Sequence, residues 1–388
     1  MKSTPSHTTM SKHSYIPYSD PWFYHRPVLA QHITNMCKDT LFSRMVYLGT
    51  RRIGKTSFFL SDLSPELINN GLLPIYINMW GNKSAPHTEF AEQLARALDE
   101  IKQEGALKRL LNTEIKKLAI GNQIAKVELE FKPRSASDAD ILNIKSHLKS
   151  VIEAAGGSKV VFILDEFQHL STSSAFDNFL YTLRTLFDSY GSRITVIFTG
   201  SSRTGMKAAF EDDKVPFYQS AQVNEFPVID DGFIEHCTNR LKDSYNIHIN
   251  RLELLDFWNE IDHSPHWIIN LMRELVANQR TLNQGVNFIR EAIRAEEGHK
   301  DIIKNLTQTD KAVLLLLHAQ RGIYSEASQA FVKKIGGKAT RSAVQAAERK
   351  LESKMIISSL PNKKVIVELY GLIDAVWQDI DIPEKRFD

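Results

Sequence analysis

Eight consecutive residues, Gly49-Thr50-Arg51-Arg52-Ile53-Gly54-Lys55-Thr56, fit the spacing G-x-x-x-x-G-K-[ST] of a phosphate-binding loop. Each fixed position has a duty in holding a polyphosphate. Gly49 and Gly54 let main-chain N–H groups approach phosphate oxygens with no Cβ in the way. Lys55 reaches the β- and γ-phosphates, and the Thr56 hydroxyl ligates Mg²⁺. Thr50, Arg51, Arg52, Ile53 and Ser57 complete the loop and first turn against which ATP would lie. The hydrophobic run Arg44 to Leu48 reads as a buried strand before the loop, and Lys55 to Leu63 as a helix after it. The helix N-terminus then points at the anion.

A second constellation is Val160-Val161-Phe162-Ile163-Leu164-Asp165-Glu166, a buried strand that delivers two carboxylates at its C-terminal end, where open parallel sheets bind ligands. Asp165 would hold the Mg²⁺ water shell from a strand adjacent to the one that feeds the loop. Glu166, pointing to the other side of the strand, would orient or deprotonate an attacking water. The blander reading of the pair is a helix cap. Arg193 to Gly200 ends in Ile-Phe-Thr-Gly before Ser201-Ser202-Arg203, so Thr199 or Ser201 would sense a γ-phosphate. A Ser/Gly turn satisfying its own backbone explains either hydroxyl equally well. Arg203 is a candidate phosphate-facing cation, with a solvated loop arginine as the default. Pro265-His266-Trp267 opens a helix that would close on the nucleotide base, although a tryptophan there is more often core.

The elements that must position these groups follow an order. Leu73 to Met79, Lys159 to Leu164 and Arg193 to Phe198 read as strands. Val28 to Asp39, Thr88 to Leu110 and Ala139 to Ala155 read as helices, and Gly121 to Ser137 as a mixed strand-and-turn insertion. Strands alternating with helices predict an α/β fold with a parallel sheet and right-handed crossovers. From Asp231 the periodicity is helical only, at Gly232 to Ser244, Arg251 to Ile261, Pro265 to Gln279 and Val286 to Gly298. Helices at Thr309 to Ala319, Glu326 to Ile335 and Ala339 to Ser353, then β-like runs at Met355 to Leu360 and Lys364 to Leu369, suit a winged helix-turn-helix. The expected division is a flexible arm at 1–20, a P-loop core at 21–230, a helical lid at 231–304 and a winged-helix domain at 305–388.

The 388 residues, 43% of them hydrophobic, can bury two or three cores. A formal charge of +2 leaves no molecule-wide field for nucleic acid or an anionic membrane. Cys37 and Cys237 form neither a zinc spacing nor a disulfide framework, which favours a reducing cytoplasm. The first twenty residues lack the apolar core of a signal peptide, and the longest apolar runs are too short to span a bilayer.

The chain resembles the archaeal-type ATPases of the STAND group within the AAA+ superfamily, from about Phe23 to Trp377. The likeness rests on Phe23-Tyr24-His25-Arg26, the arginine-rich loop, Leu-Asp-Glu-Phe-Gln at 164–168 and Phe-Thr-Gly-Ser-Ser at 198–202 with Met206 behind it. Pro216-Phe217-Tyr218, Phe226-Pro227-Val228 and the terminal Asp374-Ala375-Val376-Trp377 extend it. The resemblance implies ATP-driven switching, Arg26 near the adenine pocket, and Pro265 in the place of a lid Gly-x-Pro motif. It also implies a prokaryotic or mobile-element defence or signalling setting, a protein partner or effector, and nucleotide-dependent homo-oligomers. Two departures stand out. Gln219-Ser220 follow Tyr218 where the family often carries Gly-Arg, so turnover is expected to be slow or to need another cation. Ser264 replaces the first glycine of the lid motif.

Lys333, Lys334, Lys338, Arg341, Arg349, Lys350 and Lys354, with Lys363 and Lys364 at the hairpin tip, concentrate positive charge on the last domain. Lys338, Arg341, Lys363 and Lys364 are the candidate duplex DNA contacts, against which Glu348 and Glu352 share the same helix. The alternatives to an ATP-hydrolysing switch are a DNA-binding ATPase resembling origin-recognition or transposition-regulator proteins, and an ATP-locked scaffold with little turnover.

Overall fold

The computed structural model describes residues 20–102, 132–211, 213, 215–294, 302–354, 356–359, 365–367 and 371–380. The N-terminal arm, most of the insertion at 121–137, and Lys363 and Lys364 therefore lie outside the described residues. Five parallel strands, β1 (Arg44–Leu48), β2 (Leu73–Asn78), β3 (Val160–Asp165), β4 (Ile194–Gly200) and β5 (Gln222–Glu225), form one sheet in the order β2-β3-β4-β1-β5. The aspartate strand is thus not adjacent to the loop strand, because β4 lies between them. The four apolar runs read as strands carry no information on which neighbours which. A helical crossover lets the chain pass over strand positions that are filled later. After β1 it travels to the far edge and returns inward through β3 to β4.

Side chains alternate across the sheet. Met45, Tyr47, Val161, Ile163 and Ile197 face α1 (Pro27–Lys38) and the helix after the loop. Val46, Ile75, Phe162, Leu164, Val196 and Phe198 face α4 (Pro86–Lys102), α5 (Asp138–Ala154) and α6 (Asp177–Tyr190). The helix after the loop outruns its expected end at Leu63. It starts as α2 (Lys55–Phe58), widens into a π-helical turn at Phe59–Leu63 and continues as α3 (Ser64–Asn69). Four elements escaped the sequence reading: α6, α7 (Arg203–Phe210), β5 and the last helix. β5 is Gln-Val-Asn-Glu, an edge strand with no apolar pattern to announce it.

After the sheet, α8 (Gly232–Tyr245), α9 (Arg251–Glu260), α10 (Pro265–Ala277) and α11 (Leu282–Arg294) enclose a core centred on Trp258, Phe233 and Ile268. Beyond it, α12 (Gln308–His318), α13 (Glu326–Lys334), α14 (Arg341–Ser353), α15 (Leu372–Asp379) and the antiparallel pair β6 (Ile357–Ser359) and β7 (Val365–Val367) enclose another. Strand β6 packs against α7 of the sheet unit, and α15 meets α11. No described helix is long and apolar enough to cross a membrane.

Phe162, fully buried in β3, stacks on Phe90 at 6.1 Å and meets Phe187 at 5.8 Å. Phe162→Ala empties that space and is expected to cost about 3–5 kcal/mol. The check is the midpoint of urea unfolding followed by circular dichroism. An unshifted midpoint would mean that β3 does not pack as described.

Candidate nucleotide site

The loop leaves β1 at Leu48 and re-enters helix at Lys55, and two glycines decide its shape. A Cβ on Gly49 would stand 2.4 Å from Ile53 Cδ1, and Gly54 sits at φ +83°, a conformation that a side chain would strain. Lys55 is buried, and its ammonium donates to the carbonyl oxygens of Gly49 at 2.5 Å and Thr50 at 2.8 Å. The loop is therefore wrapped around its own lysine, with Ile53 buried and Ser57 half-buried in the first turn of α2. The two arginines turn to opposite flanks. The Arg51 guanidinium lies 5.0 Å from the Trp80 ring, with Nε 3.5 Å from Ser201 Oγ. Arg52, at φ 70°, lays its guanidinium 5.0 Å from the Trp267 ring, and its carbonyl receives the Ser264 hydroxyl at 3.4 Å.

Beside the loop, the Thr56 hydroxyl donates to Asp165 Oδ2 at 2.7 Å. The Tyr76 hydroxyl on β2 donates to the same oxygen at 2.7 Å, and Oδ1 accepts the Glu166 main-chain N–H at 3.0 Å. Burial, and then the neighbouring Glu166 charge, push the Asp165 carboxyl above its ordinary range, against the pull of Thr56, Tyr76 and Lys55. Thr199 lies on the same sheet face, two residues beyond Ile197, fully buried and with no hydrogen-bond partner for Oγ1. Glu166, in the left-handed region at φ 54°, leaves the line of β3. Its Oε2 accepts from Ser201 Oγ at 2.8 Å and from the Gln168 side-chain amide. Loop lysine, hydroxyls and both carboxylates thus converge at one end of the sheet.

These groups suit Mg²⁺ and a triphosphate. A threonine hydroxyl and a carboxylate are hard oxygen donors, of the kind that hold this ion together with phosphate oxygens and water. No cluster of three or more His, Cys, Asp or Glu placed to hold a metal occurs among the described residues. The unpartnered Thr199 hydroxyl is a buried donor still short of an acceptor. The sequence reading missed Tyr76 and Trp80, and it quoted Gln168 within Leu-Asp-Glu-Phe-Gln without giving it a role. An aromatic in a strand and another in a turn carry no motif, and only the fold brings them to the loop.

Arg26 reaches the far end of the loop. Its guanidinium lies between Phe58 at 4.6 Å and Phe226 at 4.8 Å, donates to the Pro227 carbonyl at 3.1 Å and meets the Gly54 carbonyl at 3.5 Å. Burial pushes its pKa down to about 10. Asp62, buried in the π-helical turn, receives the Arg26 N–H at 2.9 Å and the His25 ring at 2.6 Å, which ties the incoming segment to the loop helix. Pro265, the first residue of α10, has Cγ 3.7 Å from where a Cβ on Gly54 would stand. Trp267 belongs to the core behind it. Arg203 is not a solvated loop arginine, since its side chain is largely covered and forks onto Glu225 of β5. In the C-terminal unit Lys338 and Arg341 are exposed, and Arg341 lies 5.5 Å from the Tyr324 ring. Lys350 is turned inward onto Asp310 at 2.5 Å and the Asn305 carbonyl.

A sequence model described as the KAP family P-loop domain matches residues 53–200, from the loop to the end of β4. No curated protein matches the chain. Among solved structures, the Walker-type ATPase of Pyrococcus abyssi superposes with a TM-score of 0.60 at 15% identity, covering 89% of this chain and 95% of that one. The ORC2 protein of Aeropyrum pernix superposes in its ADP form with a TM-score of 0.54 at 14% identity over 95% and 97% of the two chains. The same protein in its ADPNP-ADP complexes gives 0.52 at 14% over 95% and 96%. At these identities the likeness is one of fold, and the fold is that of P-loop NTPases.

The raised carboxyl of Asp165 has a consequence for stability. Between its ordinary value of 3.8 and the higher folded value, the native state holds more proton than the unfolded chain, so stability falls as pH rises through that window. Asp165→Asn keeps an acceptor for Thr56 and Tyr76 but carries no charge. Nucleotide-free Asp165→Asn is expected to melt above the parent at neutral pH, by about 2–4 °C for each kcal/mol relieved. The gap should close as pH falls toward the ordinary carboxylate range. Scanning calorimetry across that pH range reads it, and parallel curves for parent and variant would contradict it.

Proposed function

We propose that the chain binds ATP with Mg²⁺ on the loop from Gly49 to Thr56, hydrolyses it, and acts as a STAND-like switch whose nucleotide state is read by the C-terminal unit. One observation carries the reading: Thr56 and Asp165, 109 positions apart, meet at 2.7 Å beside a lysine that the loop already encloses. The ORC2 complexes with ADPNP and ADP support the choice of an adenine nucleotide for a chain of this fold.

In this scheme the loop amides and Lys55 bind the β- and γ-phosphates, exchanging the lysine's bonds to Gly49 and Thr50 for phosphate oxygens. Thr56 and Asp165 would hold Mg²⁺, which would supply neutralisation of phosphate charge. Glu166 accepts a proton from water as the water oxygen bonds to the γ-phosphorus. The bond from that phosphorus to the β–γ bridging oxygen breaks, and its electron pair leaves with ADP. Ser201 and Gln168 hold the Glu166 carboxylate until the water is in line. Thr199 donates its unpartnered hydroxyl to a γ-phosphate oxygen. Arg52, Ser264 and Pro265 bring the start of α10 onto the loop, which supports a lid role for α8 to α11.

Helices α12 to α14 and the β6–β7 pair support a winged helix-turn-helix, which would present the nucleotide state to a protein partner or to a second copy of the chain. A DNA-contacting role has its own support in the exposed cations Lys333, Lys334, Lys338, Arg341, Arg349 and Lys354. Lys350, bound to Asp310, does not add to that surface.

Lys55→Ala is expected to lose nucleotide affinity and turnover together. Glu166→Gln should keep affinity and lose about 10²–10⁴ in kcat, measured by calorimetric titration and phosphate release. A parent that binds ATP with no phosphate release, unaltered by Glu166→Gln, would favour the ATP-locked scaffold. The double variant Lys338→Glu, Arg341→Glu separates the DNA reading. If DNA binds there, its affinity and the slope of log K against log salt both fall. Unchanged binding would leave only the protein-directed reading of the C-terminal unit.

A further inference from the structure

The phosphate loop carries two arginines in succession, and their surroundings differ. Arg52 is turned to the helical unit, over Trp267. Arg51 is turned to the catalytic side, where its Nε lies 3.5 Å from the Ser201 hydroxyl that donates to Glu166. It forms no ion pair among the described residues, in contrast to Arg203, whose guanidinium is neutralised by Glu225. What holds it is the face of Trp80, shared with Lys83, whose ammonium lies 4.8 Å from the same ring. A guanidinium without a carboxylate, beside the candidate general base and on the loop that would hold a triphosphate, is a cation short of an anion. The position after Tyr218 offers none, because Gln219 and Ser220 are uncharged and bond to Tyr218 and Phe217.

We propose that Arg51 is the cation that contacts the γ-phosphate of ATP from within the same chain, and that Trp80 is where its side chain rests when no γ-phosphate is present. The proposal builds on the ATP-hydrolysing reading above. ADP lacks the γ-phosphate, so Arg51 stays on Trp80. ATP would bring a γ-phosphate whose negative charge is shared over three terminal oxygens, and the guanidinium would leave a weak cation–π contact for a charge-assisted one. Such a cation stabilises charge that builds on the transferring phosphoryl group. Because Arg51 and Glu166 both reach Ser201, arrival of the cation at the phosphate also releases one restraint on the base.

The experiment compares the full-length parent with Arg51→Ala, Arg51→Lys, Trp80→Leu and Lys55→Ala. It measures kcat and KM for ATP and, by calorimetry, the affinities of ADP and of a non-hydrolysable ATP analogue with Mg²⁺. Arg51→Ala is expected to bind ADP within about twofold of the parent and the ATP analogue about tenfold more weakly, with kcat lower by about 10²–10³-fold. Arg51→Lys should recover part of kcat. Trp80→Leu removes the resting place, so it should raise affinity for the ATP analogue and leave ADP affinity unchanged. Arg51→Ala that turns over ATP like the parent, or that weakens ADP and the analogue equally, overturns the proposal while leaving the ATPase reading intact. A parent no better than Lys55→Ala in binding and turnover overturns both. Arg51 is exposed, and circular dichroism of each variant confirms that a lost rate is not a lost fold.

Discussion

The carboxylate of Asp165 is a charge removed from water at the end of a fully buried strand, and the rest of the site is arranged around keeping it there. An unaccompanied buried ion costs several kcal/mol. Here the cost is met from three directions: a hydroxyl from the loop helix, a hydroxyl from the edge strand and the next main-chain N–H. Each donor depends on a different feature of the fold. The parallel register pairs Asn78 with Asp165, so Tyr76 stands two residues earlier on the same face and reaches diagonally. Thr56 arrives because the loop turns back over the sheet. With β3 in any other place in the strand order, one of these donors would be lost.

The loop is equally constrained on its flanks. Its backbone is closed around Lys55, and its two arginines extend in opposite directions, one to the turn after β2 and one to the start of α10. Arg26 closes the far end by bonding to Gly54 and Pro227, with Asp62 anchoring its backbone. The π-helical turn at Phe59–Leu63 adds a residue to one turn of the loop helix, and the buried Asp62 belongs to that turn. A single short loop is thereby in contact with the sheet, the incoming N-terminal segment and the helical unit.

The loop itself was legible in the sequence because glycine, lysine and a hydroxyl residue at that spacing each have a duty that few other residues perform. The strand before Asp165 was legible because five consecutive buried positions, Val160 to Leu164, leave an unbroken apolar run. Strand order was not, since the pairings of β3 and β4 depend on contacts between segments with similar apolar runs. Tyr76 and Trp80 were invisible for a related reason. Tyr76 reads locally as a strand aromatic and Trp80 as a turn aromatic, and each gains its role from a residue more than twenty-five positions away. Arg203 illustrates the converse, a residue whose local setting in a Ser-rich turn suggested solvent until β5, itself without an apolar signal, supplied Glu225.

Allosteric coupling needs an element that two sites can both bias, and adjacency alone does not supply one. For the proposed switch, α7 is the element with the right connections. Ser202 caps its N-terminus by accepting the Gly205 N–H at 3.1 Å, immediately after the Ser201 that touches Glu166 and Arg51. Its body packs on the turn at Phe167–Ser171 that carries Gln168, and on β6 of the C-terminal unit. The Phe167, Phe198, Phe210 and Phe217 rings pack against one another at this helix, which leaves little free space beside it. Under the proposed switch a displacement of Ser201 would move this helix, which packs on β6, and Ile357 of β6 belongs to the C-terminal core. The aromatic cluster under α7 is therefore what would turn a change at one hydroxyl into a change at β6.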